Sequence, residues 1–153
     1  MRDTNIVDDF GRRTQFRGEK LVQEHTDTAA GSKPQWVEIT VWRTEAGNFV
    51  VQRTTHYRVR HANDRCMRAD GYELVDATKI DTYLCPVCNK NGVLEGGVSQ
   101  ASRIVVDSYT SVPQLINSFE QDGRFSNLAR TILADVAEQD DRVDQAWNTV
   151  MIP

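Results

Sequence analysis

The chain has 153 residues, 39% of them hydrophobic, and a formal charge of −4. That length fits one domain able to bury roughly 70% of its unfolded surface without help from disulfides or metal, and the apolar share excludes a chain that is disordered throughout. The opening residues, MRDTNIVDDFGRR, lack the apolar stretch of a signal peptide, and no run approaches 18 apolar residues, so a soluble, cytoplasmic protein with no membrane contact is expected.

Residues 1–13 read as a flexible tail and 14–153 as a single α+β domain. Within 14–60 the pattern predicts a three-stranded antiparallel meander. Thr14–His25 carries Phe16 and Val22 on one parity, with Gly18 and Lys20 disturbing the alternation. After a turn-rich loop, Trp36 to Trp42 sets Val37, Ile39 and Val41 on one face. Thr44-Glu45-Ala46-Gly47-Asn48 then makes a hairpin loop, with Gly47 suited to positive φ. On the returning strand Phe49, Val51, Tyr57 and Val59 share one parity, while Gln52, Thr54, His56, Arg58 and Arg60 share the other. One face should be core and the other should meet water.

Residues 61–92 form an insert that holds every cysteine, and Gly92–Ser102 reads as a flexible linker. Residues 103–153 predict a fourth strand at Arg103–Tyr109 and then helices. Ser111 caps a short helix with Leu115, Ile116 and Phe119, which Gly123 ends. Ser126 caps a second helix with Leu128, Ala129, Ile132, Leu133 and Val136 on one stripe. Asp140 or Asp141 caps a third, with Val143, Ala146, Trp147 and Val150 at core spacing. The expected architecture is α+β: an antiparallel sheet of about four strands, an inserted zinc-binding loop, and two to three C-terminal helices on one sheet face.

The insert carries the chemistry. Cys85-Pro86-Val87-Cys88 is a knuckle-like turn that lets two sulfurs converge on one ion. Cys66 is the remaining thiol, and His61 precedes it in the spacing His-x4-Cys. Zn²⁺ favours four tetrahedral nitrogen and sulfur ligands, so His61, Cys66, Cys85 and Cys88 make a structural Cys3His set, with His56 as the alternative fourth ligand. A redox Cys-x-x-Cys is disfavoured, because that motif opens a helix after a strand in an alternating β/α chain. A zinc deaminase is disfavoured as well. His61-Ala62-Asn63 places an asparagine where the proton-shuttling carboxylate must stand.

The spacing His-x4-Cys, about twenty residues, then Cys-x2-Cys resembles the small zinc modules of bacterial proteins, including the metal-binding domain of the Ada methyltransferases. What the resemblance implies is metal binding, without the reactive cysteine of that domain. Separately, Gln15-Phe16-Arg17-Gly18, Val41-Trp42-Arg43-Thr44, Gly47-Asn48-Phe49-Val50-Val51 and Val106-Asp107-Ser108-Tyr109 with the helices after it resemble the strand and helix pattern of the small bacterial EXLDI proteins. That resemblance implies a fold and no particular activity.

No phosphate-binding glycine loop and no nucleophile elbow occurs, so the expected function is binding, not catalysis. Charge is uneven: residues 1–70 hold 12 Lys and Arg against 10 Asp and Glu, and residues 71–153 hold 6 against 12. Arg53, Arg58, Arg60, Arg65 and Arg68 form the dense basic run, of which Arg58, Arg60, Arg65 and Arg68 are the candidate contacts to a partner or to phosphate. The favoured partner of this bacterial- or phage-type chain is a protein. Nucleic acid is the second choice, and a zinc-dependent hydrolase or deaminase-like enzyme the third.

Overall fold

A computed structural model describes residues 1–26, 35–60, 83–84 and 98–149. Contacts divide the chain into two compact units. The first comprises Met1–His25, Glu38–Arg53 and Ile104–Pro153, and the second Thr26–Val37 and Thr54–Arg103.

The described strands are β1 (Arg2–Val7), β2 (Arg13–His25), β3 (Gln35–Thr44), β4 (Phe49–Arg60), β5 (Tyr83–Leu84), β6 (Val98–Tyr109) and the short pair β7 (Glu120–Gln121) and β8 (Arg124–Phe125). The helices are α1 (Val112–Ser118), α2 (Asn127–Gln139) and α3 (Asp141–Asn148). In the main sheet the order is β1-β2-β3-β4, with β5 and β6 each pairing β4. The architecture is thus α+β, an antiparallel sheet of five long strands with three helices among the described residues. The meander of β2, β3 and β4 falls where the alternation puts it. Among the described residues no helix is long and apolar enough to cross a membrane.

Two segments expected to be irregular are strands. Residues 2–7, read as part of a flexible tail, form β1, in antiparallel register from Arg2↔Gly18 to Val7↔Arg13. RDTNIV has weak intrinsic strand preference. Its conformation comes from the partner, because β2 offers a row of backbone donors and acceptors that β1 satisfies. Similarly, β6 starts at Val98, so residues 98–102 of the expected linker belong to the sheet.

The first unit is built on both faces of the sheet, where one face was expected to meet water. Phe49, Val41 and Val51 are fully buried on one parity, and on this face the Arg142 guanidinium lies 5.2 Å from the centre of the Phe49 ring. On the opposite parity Trp42, Val50 and Val106 are buried together, with Ile6, Phe16 and Ile104 packed against them. Phe16 meets Trp42 edge-on, ring centres 5.7 Å apart. Each of the five long strands gives at least one side chain to this second cluster.

Gly18 explains the imperfect alternation of β2. A methyl group there would run into the Arg43 carbonyl oxygen and come within 3.0 Å of Thr44 Cα, so the close approach of β2 to β3 requires the missing side chain. The register then slips between Lys20 and Val22 in a bulge, which lets Leu21 and Val22 both be buried.

The turn from β1 to β2 is rigidly made. Asp8 is 6% exposed, and its carboxylate accepts hydrogen bonds from the backbone N–H of Phe10 and of Arg12, both at 2.9 Å, and from Arg12 Nε at 3.2 Å. Gly11 takes φ of 75°, a left-handed conformation that costs other residues more. Asp9 N–H donates to the Ile104 carbonyl and Arg12 Nη2 to that of Val106, which ties the loop to β6.

The helices start where their caps predict. Ser111 Oγ accepts from Gln114 N, Ser126 Oγ from Ala129 N, and the Asp140 carboxylate from Arg142 N and Val143 N. In α2, Ala129, Ile132, Leu133 and Val136 are buried as expected, Leu128 is half-buried, and Ala137 joins the buried set. The α3 stripe is shallower than expected: Val143 is fully buried, whereas Ala146 is exposed and Trp147 is half-buried with its ring 4.9 Å from that of Phe125, and Val150 lies outside the described residues. Between α1 and α2 lies the β7–β8 ribbon, closed by Asp122 and Gly123 at φ of 53° and 74°. Positive φ at both turn residues matches right-handed strand twist, and Asp-Gly is a strong signal for it.

Candidate functional site

His61, Cys66, Cys85 and Cys88 lie outside the described residues, as do Arg65 and Arg68. Arg58 and Arg60 belong to β4, and their side chains lie outside the described set. What is described is the backbone that flanks the insert. β4 and β5 pair in parallel, with Val59 beside Tyr83 and Arg60 beside Leu84. In the chain, His61 directly follows Arg60 and Cys85 directly follows Leu84. Parallel pairing of neighbouring segments requires the chain to cross over and return in the same direction, and here it returns to the point from which the insert departs. Among the described residues, no group of three or more His, Cys, Asp or Glu side chains gathers in a way that could hold a metal ion.

His56, the alternative fourth ligand, has other commitments within the second unit. Its Nδ1 lies 2.9 Å from Ser102 Oγ, and its ring stacks on Trp36 with centres 5.2 Å apart and planes 19° apart. The contact engages one of the two ring nitrogens through which a histidine binds zinc. Sequence reading missed Ser102, because it assigned that residue to a linker. Its strand neighbours, VSQAS, offer no apolar alternation to reveal it.

Arg53, the first arginine of the basic run, is also committed. Its guanidinium lies 4.9 Å from the centre of the Phe119 ring, donates to the carbonyl and hydroxyl of Ser118 at 3.2 and 3.1 Å and to the Tyr109 hydroxyl at 3.3 Å, and sits 3.8 Å from Asp107. It holds α1 to the sheet.

The strongest electrostatic cluster in the first unit surrounds Asp140. Arg43 Nη1 donates to Asp140 Oδ2 at 3.1 Å and to the Gln139 carbonyl at 2.9 Å, and Arg43 also pairs with Glu19. Arg142 reaches Asp140 through Nη2 at 2.9 Å and Nε at 3.2 Å, and Gln139 Nε2 donates to the Leu21 carbonyl. Burial on its own pushes the Asp140 carboxyl up, but hydrogen bonds from Arg142 and then Arg43, the charge of Arg142 and the Val143 N–H together outweigh it and hold the pKa at about 2. Arg43 is raised, chiefly by its hydrogen bond to Glu19, and Arg142 chiefly by that to Asp140. Every charge is met by a partner, so the cluster joins β2, β3, α2 and α3 and leaves no group poised for proton transfer.

Two shallow hollows occur in the first unit among the described residues, one of about 350 Å³ lined by Arg17, Thr44, Glu45 and Ala46 and one of about 400 Å³ lined by Asp3, Thr4, Asn5, Gln15 and Phe16. Neither brings a nucleophile to a base. Comparison of the chain with protein-family models, with curated proteins and with solved structures finds no match in any of the three.

Proposed function

We propose that this chain is a small, cytoplasmic, zinc-stabilised binding or regulatory protein of bacterial or phage type that docks on a protein partner, with His61, Cys66, Cys85 and Cys88 as the ligands of a structural Zn²⁺. The observation that carries the reading is the β4–β5 register. The two halves of the ligand set are 24 positions apart between His61 and Cys85, and the residues just before these two are neighbours in one parallel pair. A tetrahedral ion needs such convergence of distant segments. A set of four protein ligands leaves zinc no open position for an activated water, which favours binding over catalysis.

A nucleic-acid role for Arg58, Arg60, Arg65 and Arg68 is the weaker reading. Arg53 is spent on Phe119, Ser118 and Asp107, and a formal charge of −4 gives the chain no general attraction for phosphate.

Elemental analysis of the purified protein tests the metal site. About one zinc per chain is expected, lost on Cys85→Ser and on His61→Ala and retained on His56→Ala. Full zinc occupancy in Cys85→Ser, or loss in His56→Ala with retention in His61→Ala, would refute the ligand set.

A further inference from the structure

Among the described residues, four large hydrophobic side chains are exposed: Met1, Val7, Phe10 and Val105. Single exposed apolar residues are ordinary, but Val7, Phe10 and Val105 are gathered at one place. Val7 ends β1, Phe10 stands on the β1–β2 loop, and Asp9 N–H is bonded to the carbonyl of Ile104, the residue before Val105. Their exposures are 49%, 84% and 42%. Phe10 is therefore the tip of an apolar knob, with Val7 on the strand that leads into its loop and Val105 on the strand bonded to that loop.

The loop beneath this ring is far from slack. The buried Asp8 carboxylate holds the Phe10 and Arg12 backbones, Asp8 N–H donates to the Arg12 carbonyl at 3.0 Å, and Gly11 N–H donates to the Asp8 carbonyl at 3.0 Å. With Gly11 in the left-handed region, this network fixes the backbone on both sides of a phenyl ring that packs on little of its own protein. A loop held this way loses little backbone entropy on binding, which is one way an anchor residue gains affinity.

We propose that Phe10, supported by Val7 and Val105, is the anchor by which this chain docks into an uncharged apolar pocket of a partner protein. Local charge selects that occupant. Asp9 precedes Phe10 and is exposed, Arg13 is exposed opposite Val7, and the Arg12 guanidinium is bonded to Asp8, so the knob carries no net excess of either sign. An anionic lipid surface or a phosphate backbone would need surplus cations here. A neutral pocket needs none, and its affinity should be insensitive to salt. The inference rests on the docking reading above and is independent of the metal.

The test places p-benzoylphenylalanine in place of Asp9 in cells that express the chain natively, with a second probe in place of Glu138 on α2 as the reference. Irradiation should yield a discrete cross-linked protein at the loop, in equal yield from extracts at about 0.1 and about 0.5 M salt. Phe10→Ser should lower that yield at least about tenfold, as for loss of a dominant anchor, while Phe10→Leu should keep most of it. Because the ring is 84% exposed, neither variant threatens the fold. No loop product, one unchanged by Phe10→Ser, or one that mass spectrometry shows to be a second copy of this chain would overturn the proposal, as would Phe10-dependent binding to phosphatidylcholine–phosphatidylglycerol vesicles. A product at Glu138 with none at the loop would sink the anchor alone and leave the docking reading standing.

Discussion

Asp140→Ala is expected to destabilise the protein by about 3 kcal/mol, about 2 from the pairing of a buried carboxylate with two partly exposed arginines and about 1 from the lost helix cap. Asp140 is 4% exposed and does two jobs at once. As the N-cap of α3 it accepts Arg142 N at 3.0 Å and Val143 N at 3.4 Å, and as a counter-ion it faces both Arg43 and Arg142. Alanine would leave the uncapped N–H groups and two guanidinium groups facing each other without the charge that separates them. Asp140→Asn keeps an oxygen for the cap and should cost less, since a cap alone is worth about 1 kcal/mol. Urea unfolding of the three proteins at neutral pH measures both differences.

The same residue sets an acid limit. A carboxyl held at about 2 in the folded protein and near 3.8 when unfolded contributes stability that is fully present above 3.8 and is lost as pH falls towards 2. The contribution amounts to about 2 kcal/mol. The gap between wild type and Asp140→Asn should therefore narrow over that window, and a gap that stays constant down to about pH 2 would show that the pairing with Arg43 and Arg142 is not what holds the site together.

Phe49→Ala should cost a similar amount, about 3 to 5 kcal/mol, for a different reason. The ring is fully buried at the start of β4, and its removal leaves a cavity in the core. It also removes the surface over which the Arg142 guanidinium lies. Since Arg142 is shared with Asp140, the two losses should not add: a double-mutant cycle is expected to show a coupling of about 0.5 kcal/mol or more. Strict additivity in unfolding measurements would mean that Arg142 stands free of one of the two residues.

What could be read from the sequence was local. The caps Ser111, Ser126 and Asp140 and the Gly47 hairpin, where φ is 86°, follow from short-range chemistry, and all are found in place. The failures share a cause. β1 exists because Arg13–Gly18 lies beside it, and Trp42 and Val50, on the parity expected to face water, are buried by Ile6, Phe16 and Ile104 from other strands. Periodicity within one strand carries no record of what packs on its far side. Even a local signal goes unused at Asp122-Gly123, where Gly123 alone is taken as the end of a helix and the pair is the turn of a ribbon. For the candidate site the balance is reversed: the ligand set comes from residue types and spacing alone, and the structure adds the one fact that spacing could not supply, the parallel register before His61 and Cys85.

The pairing of β1 with β2 bears on how this protein can be handled. A chain trimmed to begin at Thr14, on the view that the first thirteen residues are dispensable, would leave β2 as a bare sheet margin from Arg17 back to Thr14. It would also strip Ile6 from the cluster around Trp42 and open that indole and the Phe16 ring beside unsatisfied backbone groups. An unpaired strand that also opens an aromatic cluster is a template for pairing with other chains. Trimming for solubility would thus produce the aggregation it was meant to prevent.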